Sequence, residues 1–236
     1  MILGVVPARG GSKGLVGKNL RPLGGLPLVV HTIQAAQKSA LLSDFVVSTD
    51  DPEIAAIARG AGARVPFLRP AELATDTIAV WPAVRHAVEQ WEATTPGSAV
   101  DAVVLLQPTS PLRNAEDIDN CITRFREHAA DICVTVVAPH DNPYFNMVEI
   151  TADSAPFARP CSPIMRAHAR RQDAPTVYAL NGAAYVVARP ALATLENQFH
   201  LTRYAVCEMP RHRSVDIDSL EDLELAEWLL AREGRA

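Results

Sequence analysis

Cysteine is scarce in this chain, and its four copies are scattered. Cys121, Cys133, Cys161 and Cys207 make no C-x-x-C pair and have no histidine at zinc-ligand spacing, which argues against a thiolate metal cluster and a disulfide framework. Reduced thiols in a cytoplasmic protein are expected. Long apolar runs are missing as well. No stretch approaches the roughly 20 residues that cross a bilayer, and the N-terminus has no charged lead followed by an apolar core and cleavage site. The expectation is a soluble, unexported protein. A basic excess is also absent: the net charge is −5, and cations gather only in the first loop and between Arg166 and Arg171. Nucleic acid and anionic membrane are therefore poor partners.

Two familiar phosphate motifs are lacking too. A P-loop needs Ser or Thr after its Gly-Lys pair, but Lys13 is followed by Gly14 and Lys18 by Asn19. The dinucleotide fingerprint must enter a helix directly, and the stretch from Arg9 to Leu26 is too long and too cationic for that. What the chain does have is 236 residues, 48% apolar and 21% charged, enough for one main core with a small appendage.

The rest is organised around Met1 to Asn19. Ile2-Leu3-Gly4-Val5-Val6, bounded by Pro7, has the composition of a buried parallel strand. After it come Gly10, Gly11, Gly14 and Gly17, interleaved with Arg9, Lys13 and Lys18. Glycine removes the Cβ clash, so backbone N–H groups can converge on an anion that the cations neutralise. The alternative is an ordinary strand-to-helix turn with solvated lysines.

Downstream, strand and helix alternate. Pro27 to Gln37 has helical spacing, with His31 a core or surface imidazole; Phe45 to Thr49 reads as a strand and Glu53 to Ala61 as a helix closed by Gly60 and Gly62. Thr75, Asp76 or Thr77 can cap a helix running to about Glu92. Ala102 to Leu106 is the most apolar strand, suited to a central position. Gln107 ends it at the sheet edge where ligands bind, and Thr109, Ser110 and Arg113 point to the same crevice. Alternatively Pro108 and Pro111 only shape a connection, and Ser110 or Asn114 caps the next helix, whose stripe is Ile118, Ile122 and Phe125.

After the strand Ile132 to Val137 the rhythm breaks. Residues 138–177 are rich in proline and arginine with little periodicity, a length usually functional or covered by a partner. Arg166, Arg170, Arg171 and Gln172 could clamp a carboxylate, or form a solvated or salt-bridged surface. Asn181 to Val187 reads as a turn into a strand. Near the end, Val215-Asp216-Ile217-Asp218 sets two carboxylates on one side of an extended segment, able to hold one hard cation or simply to begin an acidic helix. Ser219 caps that helix with Asp222 three residues on, and Leu220, Leu223 and Leu230 are its core residues.

Several of these stretches share a pattern. Pro7 to Gly14 with Lys18-Asn19-Leu20, Leu106-Gln107-Pro108-Thr109-Ser110-Pro111-Leu112-Arg113, Arg170-Arg171-Gln172-Asp173, Asn181-Gly182-Ala183 and Ser214 to Asp218 resemble, in order, the motifs of the acylneuraminate cytidylyltransferases. The resemblance implies an α/β, Rossmann-like (GT-A-like) nucleotidyltransferase: a three-layer sandwich on a mostly parallel sheet. The core would be 1–137 with 178–236, and 138–177 a dimerisation and sugar-binding arm of a homodimer. It implies a nucleotide site at Ala8, Arg9, Gly10, Ser12, Lys13, Lys18, Asn19, Arg69, Asp76 and Thr77, and a sugar site at Gln107, Arg171, Gln172 and Asn181. Asp216 and Asp218 would hold Mg²⁺ and act with Arg9 and Lys13 in catalysis.

The implied reaction joins CMP from CTP to the anomeric hydroxyl of a nonulosonic acid and releases pyrophosphate. Two departures are visible. Ile78-Ala79-Val80-Trp81 replaces small or hydroxylated residues, and Ala179 stands where the Neu5Ac-type pattern has an arginine, which favours di-N-acetylated acids such as legionaminic or pseudaminic acid. The rival readings are a cytidylyltransferase for Kdo, a nucleotidyltransferase using a different base or a neutral sugar, and a non-catalytic nucleotide-binding regulator.

Overall fold

Successive residues of a strand face opposite sides, so an unbroken apolar run can fill two cores at once. In β1 (Ile2–Pro7), Leu3 and Val5 enter one core while Ile2 and Val6 enter another. The computed structural model describes residues 1–11, 14–153, 155–167, 170–232 and 234, with only the backbone of Arg166 and Ala167. Five more main strands follow: β2 (Asp44–Ser48), β3 (Ala102–Leu105), β4 (Ile132–Val137), β5 (Ala179–Ala188) and β6 (Tyr204–Glu208). They form one sheet in the order β6-β4-β5-β3-β1-β2. β1 runs parallel to β2 and β3, β6 parallel to β4, and β5 antiparallel to β3. This is the expected α/β fold on a mostly parallel sheet.

Among the described residues there are six α-helices: α1 (Leu28–Lys38), α2 (Pro52–Gly60), α3 (Val80–Thr94), α4 (Ala115–Glu127), α5 (Arg189–Thr194) and α6 (Leu220–Arg232). Val29 and Ile33 of α1, Ile54 of α2, and Ile118 and Ile122 of α4 fill one side of the sheet. Trp81, Val84 and Val88 of α3 with Leu192 of α5 fill the other. A third cluster joins Leu223, Ala226 and Leu230 of α6 to Leu15, Leu23, Leu28 and Ile217. Because β1 has a parallel neighbour on each side, the chain leaves its carboxyl end in one direction and returns on the other. The crevice there is a topological switch point.

Several local expectations need correction. α3 starts at Val80 with Ala79 as its N-cap and no side-chain cap, so Thr75, Asp76 and Thr77 do not cap it; the Asp76 carboxylate is paired with Arg9 instead. Asn114, not Ser110, caps α4, in a reciprocal box with Asp117. Leu220 is 51% exposed because it precedes the buried stripe that begins at Leu223. The Ser219–Asp222 cap is present: Ser219 N–H donates to Asp222 Oδ2 at 2.8 Å and Asp222 N–H to Ser219 Oγ at 3.2 Å. The edge strand β6 had no counterpart in the sequence reading.

The chain divides into two compact units, Met1–Val136 with Leu180–Ala236, and Val137–Ala179. The smaller contains a short ribbon pairing Val148–Glu149 with Arg159–Pro160, and it exposes Val148, Ile150, Phe157 and Ile164. All four cysteines are free, and no described helix is long and apolar enough to cross a membrane.

Candidate active site

The carboxyl ends of β1, β2 and β3 open into a cleft of about 660 Å³ within the larger unit. Its floor is built by the end of β2. Ser48 C=O accepts the Ala8 N–H at 3.0 Å and also a bond from the Arg69 guanidinium, whose Nε donates to Ser48 Oγ at 3.1 Å. The Arg69 N–H reaches Thr49 C=O at 2.7 Å. Arg69 is thus locked against the strand and nearly buried while still lining the cleft. Burial brings its pKa down to about 10; nearby Asp50 opposes that fall and Arg9 adds to it.

Above this floor the glycine-rich loop is tied on two sides. Gly10 N–H donates to Asp50 Oδ1 at 3.1 Å, and Asn19 Nδ2 donates to Arg9 C=O at 2.9 Å. A Cβ at Gly10 would lie 2.6 Å from Asp51 Oδ2, so a side chain there would force the loop off β2. Arg9 spans to Asp76 with Nη1 and Oδ1 2.8 Å apart. Ser12 and Lys13 lie outside the described residues. Thr77 is exposed and does not line the cleft, unlike its neighbours Asp76 and Ile78.

The opposite wall is the Asp216-Ile217-Asp218 segment. Ile217 is fully buried in the α6 cluster, so alternation turns both aspartates away from that core, and both line the cleft. Ile217 N–H donates to Thr109 C=O at 2.7 Å, joining this segment to the turn after β3. The cleft walls desolvate the Asp216 carboxylate and raise its pKa; a bond from the Thr109 side chain opposes the rise and the Asp218 charge adds to it. Lys18 Nζ donates to Asp218 Oδ1 and to Ile217 C=O, each at 2.8 Å.

Gln107 and Thr109 line the cleft between these walls. Arg113 and Ser110 do not point into it, correcting the reading that grouped them with Gln107. Arg113 is buried beneath the turn, donating to the carbonyls of Gln107, Ser110 and Ala183 at 3.0, 3.1 and 2.9 Å, and Ser110 Oγ donates to Asn181 C=O at 3.0 Å. Asn181 is itself buried. Its Nδ2 donates to Ser214 Oγ at 3.0 Å and its Oδ1 accepts the Ala183 N–H at 3.2 Å, so the carboxamide braces the wall from behind. Gly182, at φ +70°, passes this point with its Cβ position 3.4 Å from Gln107 Nε2 and 3.6 Å from Asp216 Oδ2.

Arg171 and Gln172 belong to the smaller unit and are exposed there. Arg171 donates to His140 C=O and lies over the Phe145 ring, and Arg170 pairs with Asp173 at 2.9 Å. Sequence reasoning passed over Asp50, whose carboxylate holds the Gly10 N–H, and over Leu73, which lines an apolar wall with Ile78 and Val80, two of the residues noted as departures. The edge rule that singled out Gln107 applies equally to Asp50, two residues beyond β2.

The cytidylyltransferase family profile matches residues 3–233. A CMP-N,N'-diacetyllegionaminic acid synthase of Campylobacter jejuni is 33% identical over 230 residues, covering 98% of this chain and 95% of that protein. One of Legionella pneumophila is 47% identical over 121 residues, 51% of either chain. Among solved structures, a CMP:2-keto-3-deoxy-manno-octonic acid synthetase complexed with CTP superposes with a TM-score of 0.71 over 98% of this chain and 99% of that one. At 19% identity this is a likeness of fold.

Proposed function

This chain belongs to the cytidylyltransferase family, and from that premise we propose that it transfers CMP from CTP to the anomeric hydroxyl of a nonulosonic acid, N,N'-diacetyllegionaminic acid in the first instance. The observation that carries the proposal is one cleft, at the switch point of the sheet, lined by Arg9, Lys18, Gln107, Asp216 and Asp218. The relatives' names supply the sugar class, and Ala179, in place of the arginine of the Neu5Ac-type pattern, agrees with it.

In the reaction the anomeric oxygen forms a bond to the α-phosphorus, the α–β phosphoanhydride bond breaks, pyrophosphate departs and the hydroxyl proton is released. Lys18 and Arg9 attract the triphosphate, and the amides of the loop after Pro7 converge on it. Lys13 and Ser12 would join them through the same loop. Arg69 and Asp76, which line the cleft, would border the nucleoside, and Gln107 stands where the sugar would meet it. Arg171 and Gln172 would meet the sugar carboxylate, while Asn181 shapes the wall through the Gly182 turn. Positioning and charge supply most of the rate in such a transfer.

The donor set fits a hard divalent cation. Two carboxylates share one wall with a buried isoleucine between them, and desolvation, joined by the Asp218 charge, raises the Asp216 pKa although Lys18 opposes it. Mg²⁺ held there would offset charge on the phosphate oxygens. Exposed Val148, Ile150 and Phe157 in the smaller unit support a homodimer in which this arm is covered by the second copy.

The test is pyrophosphate release with CTP and Mg²⁺ over N,N'-diacetyllegionaminic, pseudaminic, N-acetylneuraminic and Kdo acids, with Asp218→Ala as control. Turnover strongest with the legionaminic acid and absent in the control is expected. CTP binding without release for any acid would overturn the substrate class.

A further inference from the structure

Asp50 places a carboxylate beside a loop built to attract phosphate, an arrangement that repels the ligand unless the charge is used locally. Two contacts use it. Gly10 N–H, the first amide of the glycine-rich run, donates to Asp50 Oδ1 at 3.1 Å. On its other side is Arg69, a guanidinium locked under Ser48 with Arg9 as a like-charged neighbour. Two guanidinium groups, Arg9 just beyond β1 and Arg69 docked on the end of β2, repel each other, and burial of one strengthens the repulsion. Arg9 is balanced by Asp76 at 2.8 Å, and Asp50 faces Arg69.

We propose that Asp50 is a positioning residue of the nucleotide cleft: its carboxylate fixes the start of the glycine-rich loop through Gly10 and keeps the Arg9 and Arg69 guanidinium groups side by side. This rests on the nucleotide reading above only for its consequence, tighter CTP binding. The hold on the loop is independent of it. Asp119 of α4 provides a control of the same kind, because its carboxylate accepts from Ala40 N–H at 3.0 Å and Leu41 N–H at 3.1 Å and neither it nor those residues line the cleft.

The experiment compares Asp50→Ala, Asp50→Asn and Asp119→Ala. Hydrogen exchange of the Gly10 amide is followed in the free protein, and CTP affinity is measured by calorimetry well below each melting temperature. Losing a charge-assisted bond is worth about tenfold or more. Asp50→Ala should therefore speed Gly10 exchange and weaken CTP by at least that factor. Asp50→Asn, which keeps an acceptor but no charge, should restore the exchange protection and not the affinity. Asp119→Ala should lower the melting temperature and leave both readouts unchanged. CTP affinity in Asp50→Ala equal to that in Asp119→Ala would overturn the proposal, as would unchanged affinity in Asp50→Asn if the alanine variant does not fold. A wild-type protein that binds no CTP, with Gly10 exchange still accelerated in Asp50→Ala, would sink the nucleotide reading and leave the loop hold standing.

Discussion

The Lys18 ammonium sits 2.8 Å from Asp218 Oδ1 and 2.8 Å from the Ile217 carbonyl, bridging residues nearly 200 positions apart. A cation of the phosphate loop is therefore parked on the wall opposite it, and ligand entry must draw it away. Lys18→Met removes a charge-assisted contact to the triphosphate, worth about 10–100-fold. We expect kcat/KM for CTP to fall by that factor in steady-state pyrophosphate release. Little stability should be lost, because Asp218 is 77% exposed and such pairs contribute about 1 kcal/mol or less. An unchanged kcat/KM would show that Lys18 only braces the wall.

Metal dependence separates the two aspartates from their neighbours. Chelation should abolish pyrophosphate release and added Mg²⁺ restore it. Asp216→Asn and Asp218→Asn should each weaken direct Mn²⁺ binding, read by electron paramagnetic resonance, whereas Asp222→Asn should not. Asp222 is occupied in capping α6 through Ser219. Equal Mn²⁺ binding in all three variants would refute the pair as the ligand set.

This segment was legible in the sequence because one rule governs it: in an extended chain, an isoleucine between two aspartates sends its side chain the opposite way. Structure adds what Ile217 is anchored to. It packs on Leu15 and Leu28 before it in the chain and on Leu223 and Leu230 after it, so the loop and the aspartates share one apolar support. Truncating it to Ile217→Ala should cost about 2–5 kcal/mol, measured by urea unfolding, and should reduce activity in the protein that remains folded. A loss below about 1 kcal/mol would mean that the cluster refills the space.

Other features were hidden for physical reasons. The apolar pattern marks α3, but its start depends on where Asp76 goes, and Asp76 is drawn to Arg9, which is 67 residues earlier. β6 lies at the sheet edge, with Val206 43% exposed, and its apolar run, Tyr204 to Cys207, is too short to tell a strand from a loop. The motif residues Arg113 and Ser110 look like ligand groups by type. Only the fold shows that the carbonyls they satisfy arrive from Asn181 and Ala183.

Acid should loosen the join between α3 and α5. Glu92 accepts from Arg189 Nη2 at 3.0 Å, and this bond, ahead of the opposing desolvation, lowers the Glu92 pKa. A depressed carboxylate contributes stability that is present above its unfolded value of about 4.3 and is lost as pH falls through the lower folded value. Arg189→Gln should therefore cost about 0.5–1 kcal/mol at neutral pH and nothing near the acid end of the titration. A cost that persists in acid would assign the effect to packing of the arginine stem.

Arg113 is the strongest structural prediction. It is 3% exposed, and its Nη1 serves the carbonyls of Gln107, Ser110 and Ala183 while Nη2 donates to Thr32 Oγ1 at 2.6 Å. Desolvation brings its pKa down to about 10, with Asp117 opposing, so it stays charged at neutral pH. Arg113→Met strips the charge-assisted bonds from three buried carbonyls, leaving those of Gln107 and Ser110 only long turn bonds from Ser110 N–H at 3.3 Å and Arg113 N–H at 3.4 Å, and should cost about 3–5 kcal/mol. Lysine keeps the charge but not the planar fork. It can serve one or two of these acceptors, so Arg113→Lys should recover only part of the loss. Because the carbonyls of Gln107 and of Ala183, next to Gly182, are held by the same guanidinium, both variants should also raise the KM for the sugar acid at temperatures where they remain folded. Wild-type stability in Arg113→Lys would show that charge alone, and not the fork, holds the turn.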